Sequence, residues 1–171
     1  MRPGSTGDSA LLAKEKIKEK GLVTETISDI QFQPCGVDLS LREVYSLETE
    51  GTVDFDNSER KLSETRRIVF SGDWAHLKKG AYKIIYNEVV SIPEDCAGLG
   101  YPRSSLLRCG AFIHCAVWDP GYKGRSESLL IVSNEKGLKL KKNARLIQLV
   151  FIKLDEKAKS LYSGKYKGEN L

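Results

Sequence analysis

The segment Pro102-Arg103-Ser104-Ser105-Leu106-Leu107-Arg108 places two hydroxyls between two guanidinium groups. At the start of a helix such a segment makes a phosphate cradle, because free N–H groups and arginine forks both favour polyanions. The same residues also fit a capped surface turn with two solvated arginines. A second candidate is Trp118-Asp119-Pro120-Gly121-Tyr122-Lys123-Gly124-Arg125. There an Asp follows an apolar run and opens a tight turn, where it can orient a water or a sugar hydroxyl. Gly124 permits close backbone approach. The plainer reading is a hairpin turn whose Asp bonds local backbone. In Gln33-Pro34-Cys35-Gly36-Val37-Asp38-Leu39 an Asp falls inside an apolar strand, where a buried carboxylate needs a partner. His114-Cys115 joins two metal-ligand types, but neighbours on a strand point to opposite faces, so His114 reads as a core or interface histidine.

The elements that must position these groups are mostly strands. Residues 10–20 read as a short helix, capped by Asp8 or Ser9 and ended by Gly21. Beyond it, segments rich in Val, Ile, Tyr and Phe recur at 37–41, 44–47, 67–70, 82–92, 111–118, 129–133 and 146–154. This spacing predicts an all-β sandwich or barrel. The apolar run 149–152 predicts a strand buried on both faces. Residues 48–64 read as a polar excursion, 73–79 as one helical turn ending at Gly80, and 104–108 as a short helix.

Composition narrows the function classes. The 171 residues suit one ordinary domain, and 27 Lys+Arg against 23 Asp+Glu leave a mild charge of +4. Because the charges interleave along the chain, neither a nucleic-acid nor a membrane partner is expected. The first twenty residues lack an apolar signal core and are too acidic for a transit peptide, so a cytoplasmic protein is expected. The four cysteines form no C-x-x-C pair and read as buried thiols, and two histidines leave little for a metal site. The hydrolase elbow, the P-loop and the dinucleotide-binding glycine motif are all absent.

In order, QPCGVDLSL, YPRSSLLR, AVWDPGYKGRSE, NARLIQLVF and YSGKYKGE resemble the superfamily of dUTPases and dCTP deaminases, most closely its short archaeal-type dUTPases. That resemblance implies a distorted β jelly roll, a homotrimer with active sites between subunits, and hydrolysis of dUTP to dUMP and pyrophosphate with Mg²⁺. Such an activity lowers dUTP and supplies dUMP. It makes Asp119 the group that orients the attacking water, and Tyr122 the ring that packs on deoxyribose and excludes a 2′-hydroxyl. Arg103, Ser104, Ser105 and Arg108 match phosphate-side residues, Gln148 a glutamine that donates to phosphate, and Asp38 an aspartate that supports the metal–water network. Backbone groups of the hairpin from Tyr122 to Gly124 are expected to read uracil. Residues 1–161 then form the β domain, and 162–171 a flexible tail whose Lys165 and Tyr166 close the site.

The resemblance also places a catalytic Glu of the deaminases ten residues after Asp119. Here Leu129 stands there, or Ile131 if the strand is longer. Glu127 is nearby, and is expected to share Leu129's face only if the strand pairing shifts. The rival readings are a dCTP deaminase, possibly bifunctional, and a non-catalytic trimeric nucleotide-binding regulator. The first lacks its Glu. The second would be marked by loss of Asp119, Tyr122 or Gln148, and all three are present.

Overall fold

The computed structural model describes residues 11–171. One short helix, α1 (Lys14–Glu19), opens the described chain. Its N-cap is Ala13, without a side-chain bond, so the helix begins later than expected, and the capping role given to Asp8 or Ser9 falls outside the described residues. Gly21, at φ +60°, ends it in the left-handed region that glycine adopts freely. Ile17 is its fully buried anchor.

Thirteen strands follow. The first four are β1 (Val23–Thr24), β2 (Phe32–Gln33), β3 (Gly36–Leu47) and β4 (Thr65–Arg67). Next come β5 (Trp74–Leu77), β6 (Gly80–Tyr86), β7 (Val89–Ser91) and β8 (Cys96–Pro102). After α2 (Ser104–Arg108) the chain forms β9 (Ala111–His114), β10 (Lys123–Gly124) and β11 (Glu127–Val132). It ends with β12 (Leu138–Lys141) and β13 (Arg145–Lys153). The main sheet runs β8-β13-β3-β6-β11-β9, antiparallel throughout, with β2 and β4 added along β3. Its end strands β8 and β9 approach each other, and Gly98 bridges Trp118 just beyond β9, so the sheet curls close to a barrel. The protein is all-β. Two small sheets, β1-β7-β10 and β5-β12, complete it.

Several local expectations change. Segments 37–41 and 44–47 are one strand, β3, bent by a register shift between Leu41 and Glu43 that returns Val44 to the core. Segment 82–92 is two strands, because the chain leaves the main sheet at Asn87-Glu88 and enters the small one. Residues 73–79 are not a helical turn. Trp74 and His76 point out while Ala75 and Leu77 are buried, a period of two that pairs β5 with β12. In β13, Leu149 and Phe151 are buried but Val150 and Ile152 only half-buried, so one face carries most of the core. Of the cysteines only Cys96 is buried, and burial beside Asp95 pushes its thiol up to about 11. His114 is exposed, edge-on to Phe112. No helix among the described residues is long and apolar enough to cross a membrane.

The core is built from the inward faces of β3, β6, β11 and β13: Leu39, Leu41, Ile84, Leu130 and Leu149 are fully buried. The opposite face of β3 is also covered, which buries Asp38 and Ser40 and forces a polar network around them. Fully buried Glu88 anchors that network. It accepts from Gln31 Nε2 at 2.6 Å, the Ser40 amide at 2.8 Å and Ser40 Oγ at 2.5 Å.

Candidate active site

The candidate residues fall into two groups. The first gathers where β3, β13 and the β8–α2 junction meet. Asp38, 1% exposed, accepts a hydrogen bond from Arg145 NH1 at 3.1 Å on Oδ2 and forms an ion pair with Arg103, whose Nε lies 3.1 Å from the same oxygen. Burial pushes the Asp38 carboxyl above its ordinary range, against the pull of both arginines. Gln148 stands opposite Asp38 in the β13–β3 register, and its Nε2 lies 3.7 Å from Cys35 Sγ. Gly36 is required here, because a Cβ would come within 2.6 Å of the Leu149 carbonyl and 3.0 Å of the Gln148 side chain. Arg103 is the N-cap of α2 and its amide donates to the Leu146 carbonyl, which ties the helix start to β13. Ser104, Ser105 and Arg108 are exposed on α2. Asp38 thus pairs with Arg103, and Gln148 stands beside it in the register. Arg145 joins them, although nothing within NARLIQLVF sets it apart.

The second group lines a cleft of about 700 Å³ between the β9–β10 loop, the outward face of β11 and the C-terminal segment; the expected hairpin is a loop, because β9 pairs with β11 and β10 with β7. Asp119 is exposed at its edge. Tyr122 is buried, and its hydroxyl donates to Glu169 Oε1 at 2.7 Å and lies 3.1 Å from Ser126 Oγ, which Trp118 Nε1 also reaches. Burial pushes the phenol of Tyr122 upward, and Glu169 reinforces this. Burial likewise raises the Glu169 carboxyl, with the Tyr122 bond opposing. Ser128 and Leu130 of β11 point inward, while Glu127 and Leu129 both face the cleft. Glu127 therefore shares Leu129's face with no shift of pairing, because residues two apart on a strand lie on one side. It is held by Lys83 at 3.0 Å and by Asn170 at 3.3 Å.

The C-terminal segment packs on the β9–β10 loop of its own chain. The Tyr162 amide donates to the Pro120 carbonyl, and the Tyr162 ring meets Tyr122 edge-on at 5.9 Å. Gly168 N donates to the Lys123 carbonyl and Arg125 N to the Glu169 carbonyl, while Ile92 N donates to the Tyr122 carbonyl. Of the backbone groups expected to read uracil, the Tyr122 and Lys123 carbonyls are thus already engaged. A Cβ on Gly124 would meet the Glu169 carbonyl at 3.1 Å. Tyr166 lines the cleft; Lys165 is exposed. Glu169 carried no sequence signal.

The two groups lie far apart within one chain. Trp118 pairs with Gly98 near the start of β8, whereas Arg103 follows its last residue. At ~3.3 Å per residue, the chain from Gly98 to Arg103 separates them by roughly 16 Å, and Asp119 lies further still. The cleft is lined by none of Arg103, Ser104, Ser105 or Gln148.

Residues 9–154 match the family model described as dCTP deaminase-like. The chain belongs to the dCTP deaminase-like family. Among relatives of the family, a probable deoxyuridine 5'-triphosphate nucleotidohydrolase of Methanosarcina mazei is 50% identical over 159 residues, 92% of this chain and 91% of that protein. The deoxyuridine 5'-triphosphate nucleotidohydrolase of Methanocaldococcus jannaschii is 41% identical over 146 residues, 84% of this chain and 92% of its own. Among solved structures, the 2'-deoxycytidine 5'-triphosphate deaminase of Agrobacterium tumefaciens shares the fold at a TM-score of 0.65 and 19% identity. That match covers 85% of this chain but only 49% of the deaminase.

The family resemblance implies Mg²⁺. Among the described residues, no three His, Cys, Asp or Glu side chains converge as a metal cage. The Oδ2 atom of Asp38 is taken by two guanidinium groups, an arrangement suited to anions beyond them rather than to a cation. Among the described residues of one chain, these side chains thus offer no cage for Mg²⁺.

Proposed function

We propose that the protein hydrolyses dUTP to dUMP and pyrophosphate in the cytoplasm, as a homotrimer of distorted jelly-roll chains. The observation that carries this reading is the cleft wall beside Asp119. It presents the apolar Leu129 where the family resemblance puts the deaminases' Glu. Deamination at C4 needs a group that moves a proton between water, ring nitrogen and leaving amine, and Leu129 can move none. Hydrolysis at the α-phosphorus needs only a positioned water, and Asp119 stands exposed at the cleft edge to hold one. The identity with relatives named deoxyuridine triphosphate nucleotidohydrolases, over most of their length, supports the same choice.

Asp119 orients the water in line and accepts its proton. A carboxylate is a weak base at pH 7, so positioning carries much of the rate. Arg103, braced by Asp38, acts with Ser104, Ser105, Arg108 and Gln148 as donors to the phosphates, and stabilises charge that develops there. The separation of roughly 16 Å or more between this group and Asp119 along β8 supports a grip shared by the phosphate side of one chain and the β9–β10 loop of another. Mg²⁺ is the proposed companion of the triphosphate; it would supply charge withdrawal from the phosphates, and the residues just named would act as donors beside it. Tyr122 packs on deoxyribose and excludes a 2′-hydroxyl. The backbone from Tyr122 to Gly124 reads uracil; departure of Gly168 frees the Lys123 carbonyl for it, and Lys165 and Tyr166 then close over the nucleotide.

Incubating the intact protein with each deoxynucleoside triphosphate, and with UTP, in Mg²⁺ tests this. Pyrophosphate from dUTP, little from UTP and no ammonia from dCTP are expected. Steady ammonia release from dCTP overturns the assignment and turns attention to Glu127.

A further inference from the structure

The interleaving of charge along the sequence conceals how charge is distributed in space. Strands β5 and β12 are far apart in the chain, yet they pair with Lys139 opposite His76 and Lys141 opposite Trp74. Alternation sends Ala75, Leu77 and Leu140 to the core and leaves Trp74, His76, Lys139 and Lys141 outside. Segments 73–79 and 135–142 together carry Lys78, Lys79, Lys136, Lys139, Lys141 and Lys142 against Asp73 and Glu135. This small face therefore holds a net +4, equal to the charge of the whole chain, and the remainder balances to zero. Lys79 is paired with Glu135 at 2.5 Å and Lys141 lies 3.8 Å from Asp73. Lys78, Lys136, Lys139 and Lys142 have no carboxylate partner among the described residues.

The face is concave as well as basic. A cleft of about 520 Å³ runs between 76–79 and 135–139, well away from the Asp119 cleft. At the other end of β5, Trp74 is 43% exposed, with Lys141 Nζ 5.9 Å from its ring centroid. An exposed indole beside a cationic groove is the pairing that holds single-stranded nucleic acid: bases stack on the ring and ammonium groups follow the phosphates. Lys139 and Lys141 repeat every second residue, about 6.6 Å apart, a spacing comparable with successive phosphates of an extended single strand. A duplex keeps its bases stacked inside and leaves the indole unused.

We propose that the outer face of the β5–β12 sheet, with Trp74 as its stacking platform, binds single-stranded nucleic acid. The expectation of no nucleic-acid partner rested on charge read along one dimension, and the pairing of two remote lysine-rich segments overturns its basis. The proposal does not depend on the dUTP reading, since none of these residues lines the Asp119 cleft.

Fluorescence anisotropy of a labelled oligo-dT strand, titrated with the intact protein at low ionic strength, tests it. Binding should weaken with salt at a log–log slope of roughly −2 to −3, as for three or four neutralised phosphates. Because Trp118 is only 4% exposed, quenching of the accessible indole emission reports Trp74. Trp74→Ala should weaken binding by about 10-fold. Lys136→Glu with Lys139→Glu should weaken it by at least about 10-fold and flatten the salt slope. Both variants should keep the parental circular dichroism and nucleotide hydrolysis. No binding at low salt overturns the proposal. Equal binding of duplex DNA or heparin, with Trp74→Ala silent, also overturns it, since the face would then be an unselective polyanion surface.

Discussion

Replacing Asp38 with Asn separates what holds the phosphate side in shape from what makes it work. The substitution keeps size and removes the charge that Arg103 and Arg145 share. One charge-assisted hydrogen bond, from Arg145, and the ion pair with Arg103 are weakened, together worth on the order of 2–4 kcal/mol. Against this stands the cost of holding a carboxylate at 1% exposure, of the order of several kcal/mol. The raised position of the Asp38 carboxyl shows that burial outweighs the arginines. The two effects therefore nearly cancel, and the variant should lie within about 1 kcal/mol of the parent, a Tm change of at most about 4 °C. The sign follows from linkage. A carboxyl whose folded value is raised above 3.8 favours the folded state while protonated and loses that contribution as pH rises through the folded value. Any advantage of the Asn variant at pH 7 should thus shrink as pH falls toward 4. Activity should behave differently. Arg103 loses the negative charge that holds its guanidinium in place, and misplacing one charged phosphate donor, worth about 1.5–3 kcal/mol, corresponds to roughly 10- to 100-fold in kcat/KM for dUTP, mostly through KM. Thermal scans from pH 4 to 7 beside steady-state kinetics provide the assay. A Tm drop above about 10 °C with unchanged kcat/KM refutes the reasoning, and makes Asp38 a structural clasp.

Asp119→Asn should bind dUTP while losing at least about 10²-fold in hydrolysis, measured by pyrophosphate release. Glu88→Ala strands the Gln31 amide and the Ser40 amide in the core, so calorimetry should show Tm lowered by on the order of 10 °C. Truncation after Leu161 should change kcat and KM for dUTP together with little loss of Tm; the reverse result would make the C-terminal segment a strap. Sedimentation at micromolar concentration should give three times the 19.1 kDa chain mass.

Strand chemistry was legible wherever alternation ran long enough. The class of fold, the helix at 104–108 and the glycine stop at Gly21 all follow from local pattern. Short strands failed for the opposite reason: the four residues Trp74–Leu77 also fit one turn of helix until a partner strand decides between them. The LKLK of β12 has the right alternation, but nothing in the chain order says that it meets β5. On the phosphate side, a lone Asp in an apolar run required a partner, and Arg103 and Arg145 supplied it from 65 and 107 positions away. Glu88 gave the same kind of sign, an acid within an apolar stretch, and could have been found by that rule. Glu169 could not, because its burial depends on the C-terminal segment folding back on the β9–β10 loop.

The length of β8 also bears on inheritance. Asp119 and Arg103 lie near opposite ends of that strand, so in the proposed trimer, with each site assembled where chains meet, a chain would complete its neighbour's chemistry rather than its own. Two dead alleles, D119N and R103A, should then rescue each other when co-expressed. Every mixed trimer regains one site, and random assembly restores roughly a quarter of full activity. An allele that carries both substitutions does the reverse. Placed among two sound chains it silences the sites on both its sides, so one faulty subunit removes roughly two-thirds of the output of the assembly it joins.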